Sequence, residues 1–368
     1  MEGLELRLKR IGVDALMLVS DSIHDANMFY LTNFLVPDPF IYIRKKSSEF
    51  IIVSQMEFSR AKKESKIRDV RSAAEYGMLD LLKKYKDVQK ARLELLKDVL
   101  NKEDIKRIAV PVNFSFFIAN ELNEFEILPV RLLEDLREVK TKAEIESIKR
   151  AQQACESAMH VAIDAIRKAK INKDFLHLTS EDVKVIIEHA LINEGCGADD
   201  IIVASGKQAS DPHCSGSGAL KTNTSIVIDI FPYLKKERYH ADMTRTVLRG
   251  SPTKETEEMY QTVLDAQNIA ISKIRAGVTG KEIHGAVCDL FQERGYDFIH
   301  STGHGVGLDV HEGPSLAENE DKLKAGNVIT VEPGLYDPEI GSVRLEDLVL
   351  VTAKGCKNLT RFQKQLVI

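Results

Sequence analysis

In the second half of this 368-residue chain, four carboxylates fall within runs whose other residues are those of buried β-strands. SIVIDIF carries Asp229 near its end. YHADMTRTVL sets Asp242, Thr244 and Thr246 on one side of an alternating pattern, with Ala241, Met243 and Val247 on the other. NVITVEPG places Thr330 and Glu332 together, and SVRLEDLVLV places Arg344 and Glu346 together. Any one of these acids alone reads as an edge-strand residue facing water. Taken together they would crowd like charges in apolar surroundings, which is unfavourable unless protons, cationic partners or metal ions neutralise them. Metal ions meet the need most economically. The run HSTGHGVGLDVHEG adds His300, His304 and His311. A histidine among carboxylates moves the expected ion from Ca²⁺ or Mg²⁺ toward Mn²⁺, Co²⁺, Fe²⁺ or Zn²⁺. Gly303, Gly305 and Gly307 allow close backbone approach around His304, unlike a helix-borne HExxH zinc site. A phosphate-binding glycine loop is disfavoured, because such a loop should follow a strand and open a helix.

The elements that must hold these residues are readable in outline. The first 130 or so residues alternate strand-like runs (DALMLV, FIYIRK, EFIIVS) with polar helical stretches such as Asp80 to Leu100, an α/β pattern. Thr141-Lys-Ala-Glu144 then matches a capping box ahead of apolar residues at helical spacing, Ile145, Ile148, Cys155, Ala158, Ala162 and Ile166. A long amphipathic helix is expected there. Further helices are expected near 180–194, 253–275 and 280–294, with β-rich stretches over about 200–249 and from His300 onward. No repeat, low-complexity segment or flexible linker separates the parts.

Composition narrows the class. The 51 basic and 56 acidic residues give a net charge of −5, with both signs scattered, so neither nucleic acid nor a membrane is an expected partner. No apolar run reaches the length of a membrane span. The five cysteines (Cys155, Cys196, Cys214, Cys288, Cys356) are odd in number and form no CxxC pair, which argues against a disulfide framework or a zinc knot. A soluble, cytoplasmic protein is expected.

These residues carry a resemblance. Asp229, Asp242, His304, Glu332 and Glu346 match in order the two-Asp, one-His, two-Glu pattern of the pita-bread metallopeptidases, and the words SDPH, ADMTRT, GHGVGLDVHE, TVEPGLY and VRLED are similar to that family's. LREVKTKAEIESIKRA likewise resembles the start of the catalytic domain in its proline-directed branch, whose members include Xaa-Pro aminopeptidase and Xaa-Pro dipeptidase (prolidase). The resemblance implies an α/β chain with a creatinase-like N-terminal domain over 1–133 and a pita-bread, pseudo-twofold catalytic domain over 134–368. It implies two divalent ions, Mn²⁺ or Co²⁺ first and Zn²⁺ or Fe²⁺ as alternatives. In that scheme Asp229 chelates one ion, Asp242 and Glu346 bridge both, and His304 and Glu332 complete one site. Glu332 also shuttles a proton to the leaving nitrogen. His213 and His311 orient the peptide and hydrogen-bond the scissile carbonyl, His300 lines the substrate pocket, and Arg344 pairs with Asp229. A homodimer acting on proline-containing peptides is implied as well.

Three departures limit what the resemblance carries over, the second only in the N-terminal domain and the third most for the substrate. Asp229 and Asp242 are thirteen positions apart, longer than the family's usual spacing, with Phe231 where a glycine is usual. Asn33 in YLTNF replaces a common glycine. Ser315 in HEGPSL stands where prolidases carry an arginine for the dipeptide carboxylate, so the sequence favours the aminopeptidase over the strict dipeptidase. A non-enzymatic pita-bread binding protein is the remote alternative, since such relatives have lost metal ligands and all five are present here.

Overall fold

The strand-like runs of the first half build a six-stranded sheet: β1 (Ala15–Ser20), β2 (Phe40–Arg44), β3 (Glu49–Val53), β4 (Asp69–Ser72), β5 (Arg107–Pro111) and β6 (Glu126–Val130), in the order β4-β3-β2-β1-β5-β6. The computed structural model describes residues 2–46 and 48–368; the chain divides into two compact units, up to Arg137 and from Glu138 onward. In the first unit β2 is antiparallel to both neighbours and every other pairing is parallel. The carboxyl ends of the other five strands therefore lie together, beside the start of β2. Helices cover both faces, which explains runs that are apolar at nearly every position. Leu16, Leu18, Tyr42 and Ile51 pack with Leu4, Leu8 and Met28 on one side. Met17, Ile43, Phe50 and Ile52 pack with Leu95, Leu96 and Val99 on the other.

Two local features refine the sequence reading. Asp80 to Leu100 is not one helix but parts of two, Met78–Tyr85 and Val88–Lys102. The break is at Lys86, which takes φ +53°, and Asp87 then caps the second helix by accepting from the Lys90 amide at 3.0 Å. Asn33 ends the helix Ala26–Thr32 at φ +48°. That conformation suits glycine, and asparagine is among the few side chains that tolerate it, so the replacement keeps the backbone path.

In the second unit the capping box forms as its spacing predicts. Thr141 Oγ1 accepts from the Glu144 amide at 3.3 Å, and Glu144 Oε2 accepts from the Thr141 amide at 2.6 Å. The helix Lys142–Lys168 that follows buries Ile148, Cys155, Ala158, Ala162 and Ile166. With the helix Ser180–Asn193 it packs on Ile226, Ile228, Ile230, Met243 and Val247 of a three-stranded antiparallel sheet made of 201–205, 225–230 and 243–248. The pattern then repeats. Helices Lys254–Lys273 and Gly280–Glu293 pack on Ile329, Val331, Val343, Leu345 and Val349. Two helix pairs each shield one face of β-structure, leaving the opposite faces for polar side chains.

Candidate active site

Alternation along the central strand Ser225–Ile230 decides where Asp229 goes. Ile226, Ile228 and Ile230 face the helices, so Val227 and Asp229 face away. Asp229 pairs in register with Thr244 of the next strand, Met243–Leu248. Contrary to the sequence reading, only Asp229 of the four acids lies within a strand. Asp242 precedes Met243, Glu332 follows Val331, and Glu346 sits in the break between strands Gly341–Arg344 and Asp347–Val351. A residue released from the ladder can turn its side chain away from strict up-and-down alternation, so acids from separate strands can converge.

They do converge. Ligand atoms of Asp242, His304 and Glu346 lie within 4.8 Å of one another. His304 Nε2 is 3.1 Å from Glu332 Oε1 and 3.7 Å from Asp242 Oδ2. Its Nδ1 faces the Gly305 carbonyl at 3.1 Å, an acceptor only, which leaves Nε2 to point at the acids. The short strand carrying His304 fits because its neighbours are glycine: a Cβ on Gly303 would meet the Thr330 carbonyl at 2.1 Å, and one on Gly305 the Gly313 carbonyl at 2.1 Å. Thr330 orders the pair further. Its Oγ1 accepts from the His304 amide at 2.9 Å and donates to Glu332 Oε1 at 3.1 Å.

Asp229 and Glu346 are each held by one oxygen. Arg344 Nη2 donates to Asp229 Oδ2 at 2.7 Å, and Thr244 Oγ1 donates to Glu346 Oε2 at 2.8 Å. Arg344 Nε donates to the same Thr244 hydroxyl at 3.2 Å. The other oxygens, Asp229 Oδ1 and Glu346 Oε1, are buried and have no hydrogen-bond partner among the described residues. Asp242 is only 4% exposed and Glu346 only 2%. Burial, followed by the neighbouring carboxylates, pushes both of their pKa values well above the usual range. Burial alone would lower His304 and raise Glu332. Their mutual hydrogen bond and opposite charges prevail, raising the pKa of His304 and lowering that of Glu332. Orphaned hard oxygens, carboxyls that resist ionisation and an imidazole nitrogen aimed among them form a donor set suited to divalent cations.

The remaining expected residues have distinct settings. His311 is exposed, and its ring stands against that of His304, with centroids 4.2 Å apart. Burial of part of its surface, then the charge of His304, lowers its pKa, and the charge of His213 acts in the same direction. His213 is exposed in the loop after Ser205, its amide donating to Asp211 at 3.1 Å. His300 is half-buried. Its Nδ1 donates to the Ser301 carbonyl at 2.8 Å, so its Nε2 accepts from the Tyr336 hydroxyl at 3.0 Å. Tyr336 in turn accepts from Arg344 Nη1 at 3.0 Å. Ser315 is the cross-strand partner of His304, on the same side of that sheet. The longer Asp229–Asp242 hairpin folds back: Tyr233 and Leu234 pair with Gly197 and Cys196, and Arg238 stacks 4.3 Å over the Tyr233 ring.

Sequence reasoning missed the residues that hold this arrangement from behind. Gln267, fully buried on the helix Lys254–Lys273, donates through Nε2 to the Val331 carbonyl at 2.9 Å and the Leu345 carbonyl at 3.0 Å. One amide thereby fixes the residues preceding both Glu332 and Glu346. Arg245, on the supposedly apolar face of its strand, donates to the Glu346 carbonyl at 2.5 Å and to Asp347 Oδ1 at 2.9 Å. Lys140 Nζ donates to Glu312 Oε1 at 2.6 Å, beside His311. Only the polarity of Gln267 and Arg245 amid apolar neighbours could have signalled them.

Comparison with known proteins decides the family. The sequence profile of metallopeptidase family M24 matches residues 146–353, the segment that contains every one of these candidate ligand residues. The chain belongs to metallopeptidase family M24. A second profile, the creatinase/prolidase N-terminal domain, matches residues 1–149 of this M24 peptidase. The chain is 34% identical over 325 residues to a Xaa-Pro dipeptidase of Pyrococcus furiosus, covering 86% of each. It is similar in structure to a Xaa-Pro dipeptidase from Bacillus anthracis, with TM-score 0.86, 28% identity and 100% and 98% of the two chains covered. It is also similar to an X-Pro aminopeptidase from Thermotoga maritima, with TM-score 0.83, 30% identity and 98% and 100% covered. The M24 peptidase thus has a creatinase-like N-terminal domain and a pita-bread domain, and divalent metal ions are its cofactors. Among the described residues, no helix is long and apolar enough to cross a membrane.

Proposed function

We propose that this M24 peptidase hydrolyses the bond before proline in Xaa-Pro dipeptides, with two divalent ions, Mn²⁺ or Co²⁺ first, bound by Asp229, Asp242, His304, Glu332 and Glu346. The observation that carries the reading is the convergence of Asp242, His304 and Glu346 within 4.8 Å, beside buried carboxylate oxygens that have no partner among the described residues. The dipeptidase reading replaces the aminopeptidase favoured by the sequence, because a relative matched over most of both chains is named a Xaa-Pro dipeptidase. The catalytic functions are assigned to residues 134–368 and a supporting role to 1–133. A cytoplasmic homodimer is the assembly we expect.

Bound divalent ions acidify water and polarise a carbonyl. The chain's own groups do the rest. Asp242 and Glu346 hold the centre together, Asp229 anchors one side, and Arg344 fixes Asp229. Glu332, beside His304, accepts a proton and passes it toward the leaving nitrogen. His311 and His213 hold the scissile carbonyl and stabilise the charge that grows on it, while His300, oriented by Tyr336, shapes the pocket.

One observation favours the second reading, a Xaa-Pro aminopeptidase. Ser315, opposite His304, offers one neutral hydroxyl where a dipeptide carboxylate is best met by a bidentate guanidinium. The missing charged hydrogen bond is worth about 1.5–3 kcal/mol. Comparing kcat/KM on an Xaa-Pro dipeptide and the matching Xaa-Pro-Yaa tripeptide separates the readings. A clear dipeptide preference supports the dipeptidase, a ratio at or above unity for the tripeptide supports the aminopeptidase, and Ser315→Arg should shift the ratio toward the dipeptide.

A further inference from the structure

The sheet of the first unit carries a cavity that the metal chemistry does not use. It measures about 610 Å³, within the range of small-molecule pockets. Its walls come from one end of the sheet: Val19 near the end of β1, Ser54 just after β3, Ala74 just after β4 and Ile118 beyond β5, with Leu96 of the helix Val88–Lys102 closing one side. That is the carboxyl end of the parallel strands, where the connections diverge and where open α/β sheets bind ligands.

The lining sets the chemistry of an occupant. Its walls are largely apolar, and two apolar residues lining it stay open to water, Leu79 at 65% and Phe117 at 52% exposure. Of the polar residues in the lining, two bear most on an occupant. Among the described residues the buried Ser54 hydroxyl has no hydrogen-bond partner, a costly condition unless something satisfies it. Arg92, exposed on the helix, has Val88, Gln89, Leu95 and Leu96 at helical spacing, none acidic, and forms no ion pair among the described residues. A wall of apolar carbon beside an uncompensated guanidinium suits a molecule with an apolar body and an acid end.

We propose that this cavity binds a small amphipathic carboxylate of roughly ten to fifteen non-hydrogen atoms, a size suited to such a volume. Its apolar body lies against Leu96 and Ile118, and its acid end meets Arg92. The proposal is independent of the peptidase reading. Decanoate is the probe and 1-decanol its uncharged control, each titrated into the full chain by calorimetry and by saturation-transfer NMR. Wild type should bind decanoate saturably. Arg92→Gln should weaken decanoate about tenfold or more, as loss of a charge-assisted hydrogen bond requires, and leave 1-decanol unchanged. Ala74→Trp, which fills the mouth from an exposed position, should abolish binding of both, with peptidase activity and thermal unfolding in each variant reporting an intact fold. Absence of saturable decanoate binding to wild type overturns the proposal, as does equal binding by all three proteins. A fall in sedimentation coefficient on Ala74→Trp also overturns it, by making the cavity a seat for a second copy of the chain.

Discussion

Arg344 and Asp229 stand 115 positions apart in sequence and meet through a 2.7 Å hydrogen bond that leaves Asp229's second oxygen buried and unpaired among the described residues. The same guanidinium also serves Thr244, Tyr336 and the Pro212 carbonyl. Arg344→Met should therefore lower Mn²⁺ affinity about 10- to 100-fold, the usual cost of losing a partner behind a metal ligand. Arg344→Lys should recover little, since one ammonium cannot reproduce a planar fork with several partners. Calorimetric titration with Mn²⁺ checks both, and wild-type affinity in either variant contradicts the role assigned to Arg344.

Gln267 should matter to stability and metal binding together. Gln267→Leu leaves the Val331 and Leu345 carbonyls buried without their donor, at about 1–3 kcal/mol for each unsatisfied group. Denaturant unfolding of metal-free protein should show that loss. Metal content after dialysis should fall as well, because Glu332 and Glu346 follow the two released carbonyls.

The ligands and the outer histidines should separate cleanly. Asp242→Ala or Glu346→Ala should lose metal and activity in parallel. His311→Ala should keep its metal and lose mainly kcat, as expected of a group acting on charge that develops during reaction. Elemental analysis of the purified variants distinguishes the two classes, and a metal-free His311→Ala protein would mean that His311 is needed for binding.

The contrast between what sequence revealed and what it hid follows from the reach of local patterns. Asp229, Asp242, Glu332 and Glu346 stood out because a carboxylate is out of place in a run whose other residues are those of a buried strand, and Thr141 with Glu144 signalled a helix start through a contact three residues long. Whether an acid lies inside a strand or just past its end depends on ladder bonds to distant segments, so Glu346's break was invisible. Gln267 and Arg245 act on carbonyls supplied by segments far away in the chain. Lys86 broke the expected helix by adopting φ +53°, which its side chain does not advertise. Ser315 was noticed for the charge it lacks, but its position opposite His304 depended on strand register.

Asp14 supplies a pH test in the first unit. Its carboxylate accepts from the Arg107 amide at 2.8 Å and the Lys106 amide at 2.9 Å. The Arg107 bond, then the Lys106 bond, holds its pKa below the ordinary value. A lowered folded pKa contributes stability that is present above the unfolded value, about 3.9, and is lost as pH falls through the folded value. The stability difference between wild type and Asp14→Asn should therefore be larger at pH 7 than at pH 3, read from denaturant midpoints. A difference that grows toward acid contradicts the sign.

The most direct test of the account is release of free proline from an Xaa-Pro dipeptide by protein stripped of metal, verified by elemental analysis, and then titrated with Mn²⁺ or Co²⁺. The account predicts no release from the stripped protein, recovery that saturates with added metal, and no cleavage of a matching dipeptide with alanine in place of proline. Full release by the verified metal-free protein would contradict it.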